Sequence, residues 1–141
     1  MPQRSADATW RDGLKDGSGE LSLESGSFEG TYSFVSRFED GDGTNPEELV
    51  AGSHAGCYSM ALSAGLEKEG YDPKRVTTTA TVNLNTEGEG PEIDTIHLES
   101  EAEVPDIDED TFLEIANDAK ENCPISRLLA GADIALDIKL L

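Results

Sequence analysis

The segment NPEELVAGSHAGCYSMALSAGLEKEG, residues 45–70, constrains this chain more than any other stretch. Asn45 is suited to cap a helix, Pro46 to its first position, and Glu47 and Glu48 to its first turn; Asn45 and Glu48 have capping-box spacing. Gly70 is a natural stop. Between those signals Ala, Gly, Leu, Val, Met and Tyr continue around nearly every side, and a helix that is apolar all round is a buried one. The segment therefore predicts a central helix near 46–69, covered on most faces. Ala51 and Ala55, like Gly52 and Gly56, stand four apart, a spacing of small residues that lets another element approach closely. A chain with few other helices leaves two ways to cover such a surface: tight packing on its own sheet, or packing against a second copy.

The remaining elements follow from periodicity. Residues 8–36, through ATWRDGL, ELSLESGSF and the start of GTYSFVSRF with Gly13, Gly17, Gly19, Gly26 and Gly30, predict an antiparallel meander of short strands. EDGDG, residues 39–43, lacks the further ligand positions of a calcium loop and is expected to be a solvated turn. Val76, Thr78, Ala80, Val82 and Leu84 alternate, as do Ile96, Leu98, Ser100, Ala102 and Val104, which predicts a hairpin. Asp108 is placed to cap a helix carrying Phe112, Ile115, Ala116 and Ala119; Pro124 opens a second short helix that Gly131 follows. Ile134, Leu136, Ile138 and Leu140 predict a closing strand. The class is α+β, antiparallel strands around a long central helix, with residues 1–141 expected to form a single domain.

Charge excludes several roles. Thirty acidic residues against ten basic ones give a formal net charge of −20, which repels nucleic acid and anionic lipid, so neither is an expected partner. No stretch approaches the ~20 apolar residues of a membrane span. The first residues, MPQRSADATWRDG, hold no apolar run, so no secretory signal is expected. A cytoplasmic protein with normally reduced thiols is expected instead. The acidic excess also fits adaptation to high salt, because a Debye length of about 3 Å at 1 M salt erases most of the repulsion.

The chain holds two cysteines, Cys57 and Cys123. Buried free cysteines are usually small hydrophobes. Cys123, however, falls at a helix start before Pro124, where unpaired amides lower a thiol's pKa. Cys57 lies deep in the long helix, where burial and the acidic surroundings raise it; if it reacts, it needs a dedicated cation. Arg37 is a candidate because it sits in the otherwise apolar TYSFVSRF, although pairing with Glu39 or Asp40 at the surface is the plain alternative. Metal binding is the rival chemistry: His54 and Cys57 share a helical face, and Cys123 and His97 would complete four ligands, but paired structural-zinc spacings are absent. CxxC is absent too, and Ser53 and Ser59 have no partner set for a hydrolase triad.

Taken together, GTNPEELVAGSHAGCYSMALS and ENCPISRLL resemble the OsmC/Ohr family of cysteine-based peroxidases, and the likeness extends from ATWRDGLKDGSGELSLESGSF to ADIALDIKLL. HAGCYSMALS and CPISRLL resemble the OsmC branch more than the organic hydroperoxide resistance branch. The resemblance implies an OsmC-like fold in an intertwined homodimer with shared active sites. It implies reduction of organic hydroperoxides, and of hydrogen peroxide more weakly, in oxidative stress defence. Dihydrolipoyl-type dithiols would be the reductant, and no cofactor is implied. It further implies Cys57 as the attacking thiol, Cys123 as the resolving thiol, Arg37 as the activating cation and Glu47 as the group that holds it. Leu49, Tyr58 and Met60 are candidates to line a substrate site. Gly56 departs from the alanine usual in the motif. A straight helix separates Glu47 from Cys57 by about 15 Å, so these roles require either a break near Gly52-Ser53 or a pair that serves another subunit's Cys57.

Overall fold

The computed structural model describes all residues, Met1–Leu141, in two units, Met1–Leu49 and Val50–Leu141. In the first, β1 (Ala6–Arg11), β2 (Ser18–Leu23) and β3 (Glu29–Tyr32) form the expected antiparallel meander in the order β1-β2-β3. Trp10 and Tyr32 flank Gly19 with ring centroids 5.4 Å apart, and a side chain at Gly19 would collide with both rings.

The strand expected through SFVS stops early. Residues Phe34–Phe38 form a short helix, α1, because Ser33 and Ser36 make a reciprocal capping box. The Ser36 N–H donates to Ser33 Oγ at 3.1 Å, and the Ser33 N–H donates to Ser36 Oγ at 2.8 Å. That box satisfies the donors a strand would have offered to a neighbour. The acidic loop that follows returns the chain beside β3, where Thr44 N–H donates to Thr31 O at 2.8 Å. Gly43 makes that approach at φ +112, and a Cβ there would lie 2.7 Å from Thr31 O. Asn45 then caps α2 (Pro46–Lys68) by accepting the Glu48 N–H at 2.7 Å. The Glu48 carboxylate does not reach back to Asn45; it accepts from the Thr44 hydroxyl at 2.8 Å.

α2 is one uninterrupted helix, with no break at Gly52-Ser53. Ser53 Oγ donates locally to Val50 O at 2.7 Å. Within one chain the helix is covered along one face. His54, Tyr58, Leu62 and Leu66, each four apart, form one fully buried stripe, while Gly52, Ser53, Gly56, Met60 and Ala64 on other faces are exposed, Met60 by 76%. Alanine and glycine pass a test for apolar character but gain little from leaving water, so they permit burial without requiring it.

In the second unit, β4 (Arg75–Asn85) and β5 (Glu92–Glu103) pair antiparallel as the expected hairpin, with a register irregularity at Asn83/Leu84. α3 (Glu109–Asn122) begins at Asp108, which accepts the Thr111 N–H at 2.9 Å, and α4 (Pro124–Leu128) follows directly. β6 (Asp133–Leu140) joins β5 in parallel, Ile134 opposite Ile96 and Leu140 opposite Ala102. An all-antiparallel arrangement is therefore corrected at this strand. α3 and α4 supply the long crossover that a parallel neighbour requires. The core unites Tyr58, Leu62 and Leu66 of α2, Ile96, Leu98 and Ala102 of β5, and Phe112, Ile115, Ala116 and Ala119 of α3. Each large apolar side chain buried there contributes about 1.5–3 kcal/mol. No helix is long and apolar enough to cross a membrane.

Candidate functional site

The stripe that buries α2 also aims its thiol. Cys57 precedes Tyr58 by one residue, so it sits at the edge of the buried stripe and is half-buried. Cys123 stands where α3 ends and α4 begins, its N–H donating to Ala119 O at 2.9 Å as it closes α3. Its side chain has no solvent exposure. Residues 66 positions apart are thus brought together: the two Sγ atoms lie 3.0 Å apart, both as free thiols sharing one hydrogen bond.

The two thiols are not equivalent. Burial, then the hydrogen bond with Cys123, pushes Cys57 above the usual thiol range, against a smaller lowering by the Ile125 N–H. Burial raises Cys123 as well, but the Cys57 thiol, the Ser126 N–H and hydroxyl and the Ile125 N–H outweigh it, so Cys123 lies below the usual range. Within one chain, Cys123 is therefore the readier thiolate, as its place at a helix start predicts.

Arg37 and Glu47 meet each other. Arg37 Nε donates to Glu47 Oε1 at 3.0 Å, and Glu47 is 7% exposed. The surface pairing of Arg37 with Glu39 or Asp40 does not form. Glu47 Oε2 is buried without a partner, and the Arg37 guanidinium lies over the Phe38 ring at 5.1 Å.

The rival ligand set disperses. His97 Nε2 bonds Asp137 Oδ2 at 2.6 Å on the sheet. His54 is fully buried with Nε2 2.7 Å from Ser126 Oγ. No group of three or more His, Cys, Asp or Glu residues is placed to hold a metal ion. Ser59 Oγ donates to Thr78 Oγ1 at 2.8 Å, within a hydroxyl chain that continues to Ser100. Tyr58 is a core residue whose hydroxyl donates to Ala116 O at 3.0 Å, so it does not line an open substrate site. A Cβ at Gly56 would meet nothing within 4 Å, so the chain's own packing does not demand the glycine.

Sequence reasoning missed the role of Ser126 as the partner of His54. The available signal was a matched spacing: His54 stands three residues before Cys57, and Ser126 three residues after Cys123.

A long helix with an internal cysteine facing a second cysteine at a helix junction defines a two-cysteine redox domain of α+β class. The OsmC-like protein family matches residues 39–139. Peroxiredoxin OsmC of Escherichia coli (strain K12) is 44% identical over 134 residues, spanning 94% of this chain and 93% of that protein. Organic hydroperoxide resistance protein-like 1 of Staphylococcus epidermidis is 29% identical over 105 residues, covering 72% of this chain and 73% of that one. Among solved structures, an OsmC-like protein from Mycoplasma pneumoniae superposes with a TM-score of 0.77 at 15% identity, over 99% of this chain and 98% of the other. The chain belongs to the OsmC-like family, and the α+β, OsmC-like fold expected from its motifs is borne out.

Proposed function

We propose that this chain is a cysteine-based peroxidase that reduces organic hydroperoxides, and hydrogen peroxide more weakly, in oxidative stress defence. The observation that carries the reading is the 3.0 Å approach of a half-buried Cys57 Sγ to a fully buried Cys123 Sγ. Cys57 is the thiol a hydroperoxide can reach. Its thiolate attacks one peroxide oxygen, the O–O bond breaks, and the alkoxide takes up a proton as alcohol. Cys57 is left as a sulfenic acid. Cys123 attacks that sulfur, water leaves, and a Cys57–Cys123 disulfide forms with little movement. A small dithiol, of which a dihydrolipoyl group is one, returns both thiols by exchange.

Activation of Cys57 falls to Arg37, held by Glu47. α2 runs unbroken between Glu47 and Cys57, which sets them about 15 Å apart along its axis. One guanidinium bonded to Glu47 does not span that distance. We therefore place the pair against Cys57 of a second copy in a homodimer. Two features support this: the uncovered face of α2 at Gly52, Gly56 and Met60, and the buried Glu47 Oε2 that lacks a donor. Residues 1–141 act as one OsmC-like domain on this reading, in keeping with a match spanning 94% of the chain.

A thiol count tests the chemistry. One equivalent of an organic hydroperoxide, added anaerobically, should remove both titratable thiols of each chain; retention of both ends the peroxidase reading. The net charge of −20 favours a salt-adapted protein without nucleic-acid or anionic-membrane partners. Its melting temperature should rise between about 0.1 and 1 M salt as screening shortens from ~10 to ~3 Å. A fall over that range would count against salt adaptation.

A further inference from the structure

α4 has little of its own to hold it in place. It is five residues long, Pro124–Leu128, and a helix that short is not stable by itself in water. Arg127 and Leu128 are exposed, Ile125 and the C-capping Leu129 are half-buried, and Ser126 is the one buried residue of the helix. That buried side chain is polar, and its hydroxyl lies 2.7 Å from Nε2 of His54 on α2. His54 is itself fully buried and its Nδ1 has no partner, so Ser126 is the group that satisfies the imidazole. The contact lies three residues before Cys57 on α2 and three residues after Cys123 on the other segment. Two links therefore join the same two segments about one turn apart, the thiol pair at 3.0 Å and the imidazole–hydroxyl pair at 2.7 Å. One link leaves a hinge; two links a turn apart fix separation and rotation together. Apolar burial is non-directional, whereas a hydrogen bond weakens steeply once bent. A one-residue slip of α4 would strand two buried polar groups at once, each costing its desolvation.

We propose that the His54–Ser126 hydrogen bond is a latch that docks α4 onto α2 and so holds Cys123 in position to close a disulfide with Cys57. The inference rests on the reading that these two cysteines form a disulfide. Cys123 joins α3 to α4, so its sulfur goes where the two helices carry it. α3 is anchored through Phe112, Ile115, Ala116 and Ala119, and α4 through Ser126. In the resolving step the Cys123 sulfur bonds to the Cys57 sulfenic sulfur, the S–O bond breaks, and the hydroxide leaves as water with the Cys123 proton. Atoms held about 3–3.5 Å apart in one orientation react as if at high local concentration. The latch keeps the two sulfurs at such a separation before Cys57 is oxidised. An unlatched α4 would leave the sulfenic acid waiting, open to a second hydroperoxide and conversion to sulfinic acid. His54 and Ser126 are positioning residues, and the role needs no contact between either of them and a reacting sulfur.

The test equilibrates the full-length protein in glutathione buffers, where two protein thiols and one glutathione disulfide exchange with the Cys57–Cys123 disulfide and two glutathiones. The midpoint, measured by alkylation and mass spectrometry, gives the effective concentration of one thiol for the other. Ser126→Ala should lower it by roughly threefold or more, the scale of one buried hydrogen bond. Ile96→Val, a core truncation on β5, should lower the melting temperature and leave the midpoint unchanged. A smaller loss in Ser126→Ala overturns the proposal. So does an Ile96→Val protein that loses as much as Ser126→Ala, because the midpoint would then report general stability rather than position. A second measurement uses the reduced parent alone. The Arg127 N–H, which donates to Cys123 O at 3.0 Å, should exchange with solvent more than about thirtyfold more slowly than in an unstructured chain, since a docked turn opens rarely. Weaker protection means that α4 is not held and refutes the latch. Glutathione forms the disulfide without hydroperoxide, so a protein inert to hydroperoxide would end the peroxidase reading while this equilibrium still decides the latch.

Discussion

Cys57→Ser should lower hydroperoxide turnover roughly a thousandfold or more, the scale of losing a nucleophile, while Cys123→Ser should still consume one equivalent and stop at a sulfenic acid. The asymmetry follows from exposure. Cys57 is half-buried at the rim of the α2 stripe, and Cys123 is sealed at the α3–α4 junction. Serine is close in size to cysteine, so neither change opens a cavity, and both variants should melt near the parent temperature. Steady-state turnover with cumene hydroperoxide, together with mass detection of a dimedone adduct on Cys57 in Cys123→Ser, measures both effects. The electrostatics within one chain would favour the opposite assignment, since Cys123 lies below the usual thiol range and Cys57 above it. A Cys57→Ser protein that keeps its turnover, beside an inactive Cys123→Ser protein, would show that thiolate readiness outweighs access and would reverse the two roles.

Much of this architecture was legible because its signals are local. The alternating residues of β4, β5 and β6 and the Phe112, Ile115, Ala116, Ala119 face of α3 are all set by period and caps. The family motif around Cys57 and Cys123 was legible for the same reason. Three features were not. α1 was hidden because Phe34, Val35 and Phe38 suit a strand as well as a helix, and only the Ser33–Ser36 capping box decides. The parallel pairing of β6 was hidden because alternation fixes which face is buried, not the direction of the neighbour. The open face of α2 was hidden because glycine and alanine satisfy an apolar pattern without demanding cover. The His54–Ser126 contact joins residues 72 positions apart, and its one trace in the sequence is the three-residue spacing of each from a cysteine.

Arg37→Ala should cost roughly a hundred- to a thousandfold in turnover, the usual loss when one charge-stabilising donor is removed. Its residual rate should rise with pH, since burial and the Cys123 hydrogen bond hold Cys57 above the usual thiol range and only alkali then supplies the thiolate. Glu47→Gln should fall in the same direction by less, because the guanidinium stays in place with weaker restraint. The decisive measurement mixes two inactive proteins. A heterodimer of Arg37→Ala with Cys57→Ser contains, if the arginine acts across the interface, one complete site: Cys57 from the first chain and Arg37 from the second. Random exchange makes about half the dimers heterodimers, so about a quarter of parental activity should return. If Arg37 serves the Cys57 of its own chain, every mixture stays inactive, because each chain lacks one of the two groups. The continuity of α2 favours recovery: ten residues of unbroken helix separate Glu47 from Cys57, about 15 Å along an ideal axis. Neither the helix dipole, faded by mid-helix, nor the surface charge assists Cys57, so a reactive Cys57 needs a dedicated cation, and the mixed dimer tests the proposal that Arg37 of a second copy supplies it.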